Sequence, residues 1–405
     1  MNWQYRPRWI AERIRQAVSF SPVIVLTGAR QTGKSTLLQH EAPFDKWRLI
    51  NLDDIDSLSM AKERPEELLA ISDNIIIDEV QRCPDLLLSI KRAVDKNRER
   101  RFILSGSANL ILMSSVAESL AGRAMYFELF PFSYGEENER DFPQWITTSP
   151  QNGPSSADSS SDSLTGAKFF KGSLPPLTFL TNNADIHDWW QGYIHTYLER
   201  DLRDLSQISN LPDFRKIMGL LAARNSQILR QSELARAGGM SQATVGRYIN
   251  LMEVSGLVVK IRPYSRNISK RLVKSPKIYF VDTGLACALA GIKHPDQITE
   301  SLKGILFESY IFLNLIAVSS VSGGELFYFR TQGGKEREVD FILETDGKVI
   351  AIEARSSTSV SFRDAKNIFF LKDILPGLSA GLIIYNGKEV VTLGENIHAV
   401  PWFLI

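Results

Sequence analysis

Cysteine, histidine and net charge are all scarce in this chain. The two cysteines, Cys83 and Cys287, are far apart in sequence and give no disulfide framework. The five histidines are scattered, so no His/Cys zinc cluster is readable, and a reducing compartment is the default expectation. Forty-seven Lys and Arg balance 46 Asp and Glu to a formal +1, which excludes a whole-molecule pull on nucleic acid or an anionic membrane; any such affinity must be local. No run reaches the roughly 18 consecutive apolar residues of a membrane span. The first residues carry Arg6, Arg8, Arg13 and Arg15 without a long apolar stretch, unlike a secretory signal. No repeat recurs at a fixed period. A cytoplasmic protein without membrane contact is expected.

What is present is ordinary globular material. The 405 residues suggest two to three domains at about 150 residues each. An apolar share of 44% and a charged share of 23% exclude disordered, collagen-like and coiled-coil chains. Short continuous apolar runs at 23–27, 48–52, 74–78, 102–106 and 125–129 alternate with helical patterns, notably 84–97 with Leu86, Leu87, Ile90 and Val94 on one stripe. Unbroken apolar strands are buried on both faces, hence an α/β region with a parallel sheet. Residues 149–166 are rich in Ser, Gly, Pro and Asp and read as a mobile insertion.

Gly28, Ala29, Arg30, Gln31, Thr32, Gly33, Lys34 and Ser35 fit the G-x-x-x-x-G-K-[ST] spacing, between a strand and a helix that opens through Ser35 and Thr36. Such a loop wraps phosphates with backbone N–H groups; Lys34 reaches the β and γ phosphates and the Ser35 hydroxyl suits Mg²⁺. The apolar run 75–77 ends in Asp78 and Glu79, assigned to the metal and to polarising the attacking water. The sheet is expected to place another strand between the loop strand and the carboxylate strand. Ser107, beyond strand 102–106, is either a γ-phosphate sensor or a turn serine. Arg123, after a glycine, either stabilises phosphoryl-transfer charge, in its own chain or in a neighbouring copy, or makes a surface salt bridge.

GARQTGKST, IIIDEVQ, ILSGS, SLAGR with LFPFSYGE, YLERDL and KIYFVDTGL, in this order, resemble the prokaryotic AAA+ type ATPases that carry a C-terminal domain of unknown function. The resemblance implies an AAA+ core that binds ATP with Mg²⁺, a winged-helix segment and a nuclease-like end.

Residues 213–252 carry a helix-turn-helix pattern. Its third helix opens at Ser241, buries Val245, Ile249 and Met252, and leaves Gln242, Arg247 and Asn250 on the other face. From 258 to 277 follow Lys260, Arg262, Arg266, Lys270, Arg271, Lys274 and Lys277 without an acidic residue, a local site for DNA or a basic arm packed on an acidic neighbour. Lys277, inside a family-matched segment, is alternatively part of the domain's own structure.

Asp346-Gly347 signals a two-residue hairpin joining strands 337–344 and 348–354. That register sets Asp340 opposite Glu353 and Arg355 opposite Glu338; the carboxylate pair needs a cation, such as a metal, to be tolerable. Asp340, Glu353-Ala354-Arg355 and Glu308 on a preceding helix resemble the PD-(D/E)xK nuclease site, with Arg355 where the pattern has lysine. An arginine stays protonated and cannot act as a base, so the readings are a nuclease, a degenerate nucleic-acid-binding or scaffold domain, or a structural salt cluster.

The expected fold is α/β: a P-loop AAA+ parallel-sheet core at 1–140, the Ser-rich insertion at 141–185, a helical winged-helix domain at 186–285, and an α+β restriction-endonuclease-like domain at 286–405. The expected function is an ATPase coupling nucleotide state to DNA contact, possible as a homo-oligomer through Arg123. The alternatives are a signalling or scaffold NTPase with a protein-binding C-terminal half and a metal-dependent nuclease.

Overall fold

Helix α1 (Ile10–Phe20) buries Ile10, Ala11, Ile14 and Ala17 and packs against β1 (Val23–Thr27), every residue of which is buried. Helix α2 (Lys34–His40), β2 (Arg48–Asn51), β3 (Asn74–Asp78), α3 (Leu86–Lys96), β4 (Arg101–Ser105) and β5 (Ala124–Glu128) complete the pattern. All strand pairings are parallel, in the order β2-β3-β4-β1-β5. Val23, Val25, Ile75, Ile77, Phe102 and Leu104 form one core with Leu86, Leu87, Ile90 and Val94 of α3, as the continuous apolar runs and the helical stripe predict. A strand does separate the loop strand from the carboxylate strand. It is β4, while β2 lies at the sheet edge.

The computed structural model describes residues 4–106, 119–154, 163–196, 210–265, 275–331 and 337–405. The chain divides into two compact units, 1–132 with 254–257, and 133–253 with 258–405. Ser107, Arg266, Lys270 and Arg271 lie outside the described residues, as do Lys274 and the core of the Ser-rich stretch, 155–162.

In the second unit, α4 (Leu211–Ala222), α5 (Gln231–Gly238) and α6 (Gln242–Val254) precede β6 (Val258–Pro263) and β7 (Lys277–Phe280), which pair antiparallel. Helix α7 (Glu300–Ser322) follows, then β8 (Glu325–Arg330), β9 (Glu338–Thr345), β10 (Lys348–Arg355), α8 (Lys366–Ile374), β11 (Leu378–Tyr385), β12 (Val391–Gly394) and β13 (Ile397–Pro401). They form one mixed sheet in the order β12-β13-β11-β10-β9-β8-β6-β7. Phe341 stacks on Phe312 of α7, whereas its neighbour Ile342 joins the core made with Ile368 and Leu371 of α8. Successive strand residues point to opposite faces, so α7 and α8 cover the two sides of this sheet.

Two features cut across the expected boundaries. Arg262 pairs with Phe327, so β6 continues into the C-terminal sheet and the helical segment shares one unit with it. The described flanks of the expected insertion are packed: Ile146, Leu164, Phe169, Phe170, Leu174 and Leu177 are buried, and Leu164 exchanges backbone hydrogen bonds with the Asn386 side chain at 2.7 and 3.1 Å. Composition misplaced them because their aromatic residues lie just outside the Ser-rich stretch. Helix α7 is long and apolar enough to cross a membrane, yet is mostly buried inside this unit, a core helix beneath β8, β9 and β10.

Candidate functional site

Parallel strands bring their C-terminal ends to one sheet edge, where the loop 28–35, Asp78 and Ser105 meet. Gly28 has φ +144°, and a Cβ there would lie 2.3 Å from the Leu129 carbonyl oxygen, so only glycine fits. Gly33, at φ +92°, turns the chain into α2. Lys34 is buried and folds over the loop, its Nζ donating to the Gly28 and Ala29 carbonyls at 3.0 and 2.9 Å. Burial pushes this ammonium down to about 8, against the opposing pull of Glu79 and Asp78. Thr32 is also buried, with its hydroxyl on Ala29 O, whereas Arg30, Gln31 and Thr36 face solvent.

The Ser35 hydroxyl donates to Asp78 Oδ2 at 2.6 Å, and the Ser105 hydroxyl donates to Asp78 Oδ1 at 2.7 Å. A hydroxyl and a carboxylate at this separation are hard oxygen donors suited to Mg²⁺, so Ser35 and Asp78 are the pair that fits the ion a P-loop implies. Glu79 adopts φ +56°, and its side chain receives a hydrogen bond from Gln81. Burial, then the Asp78 charge, raises the Glu79 carboxyl above its ordinary range.

Ser105 was not singled out by the sequence, which pointed two residues further on to Ser107. Its signal is a polar residue ending a strand adjacent to the Asp78 strand. Arg8, also unforeseen, is 5% exposed and braces the loop: it donates to Thr32 O at 2.8 Å and to Phe130 O at 2.6 Å, and lies over the Phe132 ring. No sequence signal marks it, because its partners are main-chain carbonyls.

Arg123 does not join this site. It precedes β5, whose Ala124 pairs with Val23 at the start of β1, so it lies at the other sheet edge, about 16 Å along a five-residue strand from the loop. Both ends of its guanidinium bind Asp95, at 2.7 and 3.0 Å. A role on its own chain's phosphates is therefore excluded, and the surface salt bridge is what forms.

In the second unit, Gln242, Arg247 and Asn250 are exposed on α6 while Val245, Ile249 and Met252 are buried, as expected. Arg262 is exposed, but Lys260 is held by Glu253 at 2.6 Å and Asn250 at 3.0 Å. Lys277 is not part of a basic arm: it is 3% exposed and surrounded by carboxylates.

The hairpin register is as derived, running from Lys348↔Thr345 to Ile352↔Phe341. Arg355 departs from expectation. It binds Glu353 at 2.6 Å and Asp340 at 3.5 Å instead of Glu338, which is taken by Lys277 at 2.5 Å and Arg330 at 4.0 Å. Glu308 of α7 meets Lys277 at 3.1 Å and the Tyr279 hydroxyl at 2.7 Å. Burial, then Asp340, raises both Glu308 and Glu353 above the usual carboxylate range. Burial works against the Lys277 charge, but Glu308, Asp340 and Glu338 outweigh it and hold the ammonium above its ordinary value. Among the described residues no group of three or more His, Cys, Asp or Glu is disposed to hold a metal. The cations that meet this carboxylate pair in the fold are side chains, Lys277 and Arg355 on Asp340 and Arg355 on Glu353.

Comparison with known proteins covers most of the chain. The family described as AAA domain matches residues 20–138, and two domains of unknown function, DUF8612 and DUF4143, match 168–296 and 303–405. An uncharacterized protein of Mycobacterium tuberculosis is 31% identical over 399 residues, covering 96% of this chain and 82% of that protein. An uncharacterized protein of Methanocaldococcus jannaschii is 22% identical, covering 93% and 85%. Among solved structures, a Walker-type ATPase of Pyrococcus abyssi is 16% identical over 71% of this chain and 99% of that one, with a TM-score of 0.44. The loop-and-carboxylate site and the matched domains agree, and the 31% identical relative spans both: the chain belongs to the P-loop AAA ATPases that carry this C-terminal domain of unknown function.

Proposed function

We propose that the first unit binds and hydrolyses ATP with Mg²⁺, and that its nucleotide state controls contact of the second unit with DNA. The observation that carries the ATPase reading is the Asp78 carboxylate, bound on one oxygen by Ser35 and on the other by Ser105. Both orient it toward the loop that would hold the phosphates. Lys34 would leave the loop carbonyls for the β and γ phosphates, exchanging neutral acceptors for charged ones. Mg²⁺, when bound, neutralises phosphate charge; Ser35 and Asp78 would hold it. Glu79 would orient and deprotonate the attacking water, a task that its raised affinity for protons suits.

Lys34→Ala is expected to lose most nucleotide affinity. Glu79→Gln is expected to keep binding a fluorescent ATP analogue while turnover falls about 10²–10⁴-fold. Unchanged turnover in Glu79→Gln sinks its assigned role.

The DNA reading rests on helices α4 to α6 followed by the antiparallel β6–β7 pair, which we read as a winged helix, and on exposed Gln242, Arg247, Asn250 and Arg262. A second reading, an NTPase whose second unit binds proteins, draws support from Lys260 and Lys277, whose charges are already met by Glu253 and by the carboxylate cluster. Duplex binding measured against salt separates the two. Binding through phosphates weakens steeply as salt rises, with a slope of about −0.9 per neutralised phosphate.

A further inference from the structure

We infer that Lys277 occupies the place of a divalent cation in the second unit, so that the nuclease-like cluster is closed by an internal ammonium. Four carboxylates converge there: Glu308 from α7, Glu338 and Asp340 from β9, and Glu353 from β10. Their side chains are mostly withdrawn from water, that of Glu353 being 2% exposed. Four carboxyls so placed cannot all ionise without cations, and Glu308 and Glu353 accordingly hold their protons above the usual carboxylate range.

An ammonium has one charge and three N–H donors. The Lys277 Nζ meets three carboxylates, Glu308 at 3.1 Å, Glu338 at 2.5 Å and Asp340 at 3.7 Å. Most of the oxygens a metal would use are otherwise engaged. Asp340 Oδ2 accepts from the Ala354 N–H at 3.0 Å and from Arg355 at 3.5 Å. Glu353 accepts from Arg355 on one oxygen at 2.6 Å and from Asn367 on the other at 3.2 Å. Glu308 Oε1, besides Lys277, accepts from the Tyr279 hydroxyl. A divalent ion would have to expel Lys277, leaving a buried ammonium without its partners. The lysine comes from β7 and forms a β-bridge with Ile228, between α4 and α5, so it also ties the helical segment to the strands carrying the carboxylates.

The inference is tested by Mn²⁺ electron paramagnetic resonance on the nucleotide-free full-length chain. The wild type and Asp340→Asn are expected to bind the same amount of Mn²⁺, because the cluster takes none. Lys277→Met is expected to bind one Mn²⁺ that the wild type does not, with a melting temperature that rises on adding Mn²⁺, since Arg355 and Arg330 alone then face the four carboxyls. Mn²⁺ bound by the wild type and lost in both Asp340→Asn and Glu353→Gln overturns the inference. So does a folded Lys277→Met that binds no more Mn²⁺ than the wild type. Should Lys277→Met fail to fold, the wild type against Asp340→Asn and Glu353→Gln decides alone.

Discussion

At the scale of single residues, Lys34 ties the nucleotide site to pH. Its ordinary value is 10.5, and burial brings it to about 8 in the nucleotide-free fold. Between these values the unfolded chain holds more protons than the folded one, so this group's contribution to stability rises with pH across that window. Phosphates reverse the preference, since they favour the ammonium. Above pH 8, nucleotide binding must therefore take up a proton, and affinity is expected to fall by up to about tenfold per pH unit toward pH 10. Calorimetry of a non-hydrolysable ATP analogue in two buffers of different ionisation enthalpy should show proton uptake approaching one at pH 9.5. In Lys34→Arg, which stays protonated, the uptake should vanish; uptake persisting in that variant would assign it to another group. Lys34, Ser35, Asp78 and Glu79 were all legible in the sequence because phosphate chemistry demands those side chains at those spacings. Ser105 and Arg8 were not: one sits where a polar strand end is common, and the other binds carbonyls that any sequence supplies.

At the scale of elements, the β9–β10 hairpin shows how far local rules reach. Asp346 and Gly347 have φ +47° and +72°, the paired left-handed conformation of a two-residue turn matched to strand twist. That turn alone predicted the register up to Ile352↔Phe341. A Cβ on Gly347 would meet nothing within 4 Å, so Gly347→Ala tests backbone conformation without packing. The variant should lose about 1–2 kcal/mol, seen as a lower denaturant midpoint at unchanged slope. No loss would mean that the turn does not hold the register. What local rules could not reach was the partner of Arg355. Glu338 was already claimed by Lys277, from a strand remote in sequence, and Arg355 turned to Asp340 and Glu353 instead. Of the two readings that the sequence left for Lys277, a basic arm or part of the domain's own structure, the second is the one that forms, with Glu308, Glu338 and Asp340 around it.

At the scale of the whole molecule, near neutrality conceals segregated charge, but less than the linear run of basic residues suggests. Lys277 is internal and Lys260 is paired, which leaves Arg247 and Arg262 among the described candidate cations that face solvent. The chain passes between its two units at 132–133, 253–254 and 257–258, the first of these directly after the Phe130–Phe132 segment that Arg8 ties to the loop. This continuity gives nucleotide state a covalent route toward the second unit, and under the proposed function the two ligands must be thermodynamically linked. Coupling of ordinary size, about 1–3 kcal/mol, corresponds to a change of about 5–150-fold in affinity. Short-duplex affinity at low salt is therefore expected to differ by at least about fivefold between nucleotide-free protein and Glu79→Gln held with ATP. Reciprocity is the sharper test: saturating duplex must shift the ATP affinity of Glu79→Gln by that same factor and in the same direction. Equal duplex affinities with and without ATP would remove the coupling while leaving the ATPase intact. No duplex binding at all would leave the protein-binding reading, in which Arg247 and Arg262 would face an acidic partner surface.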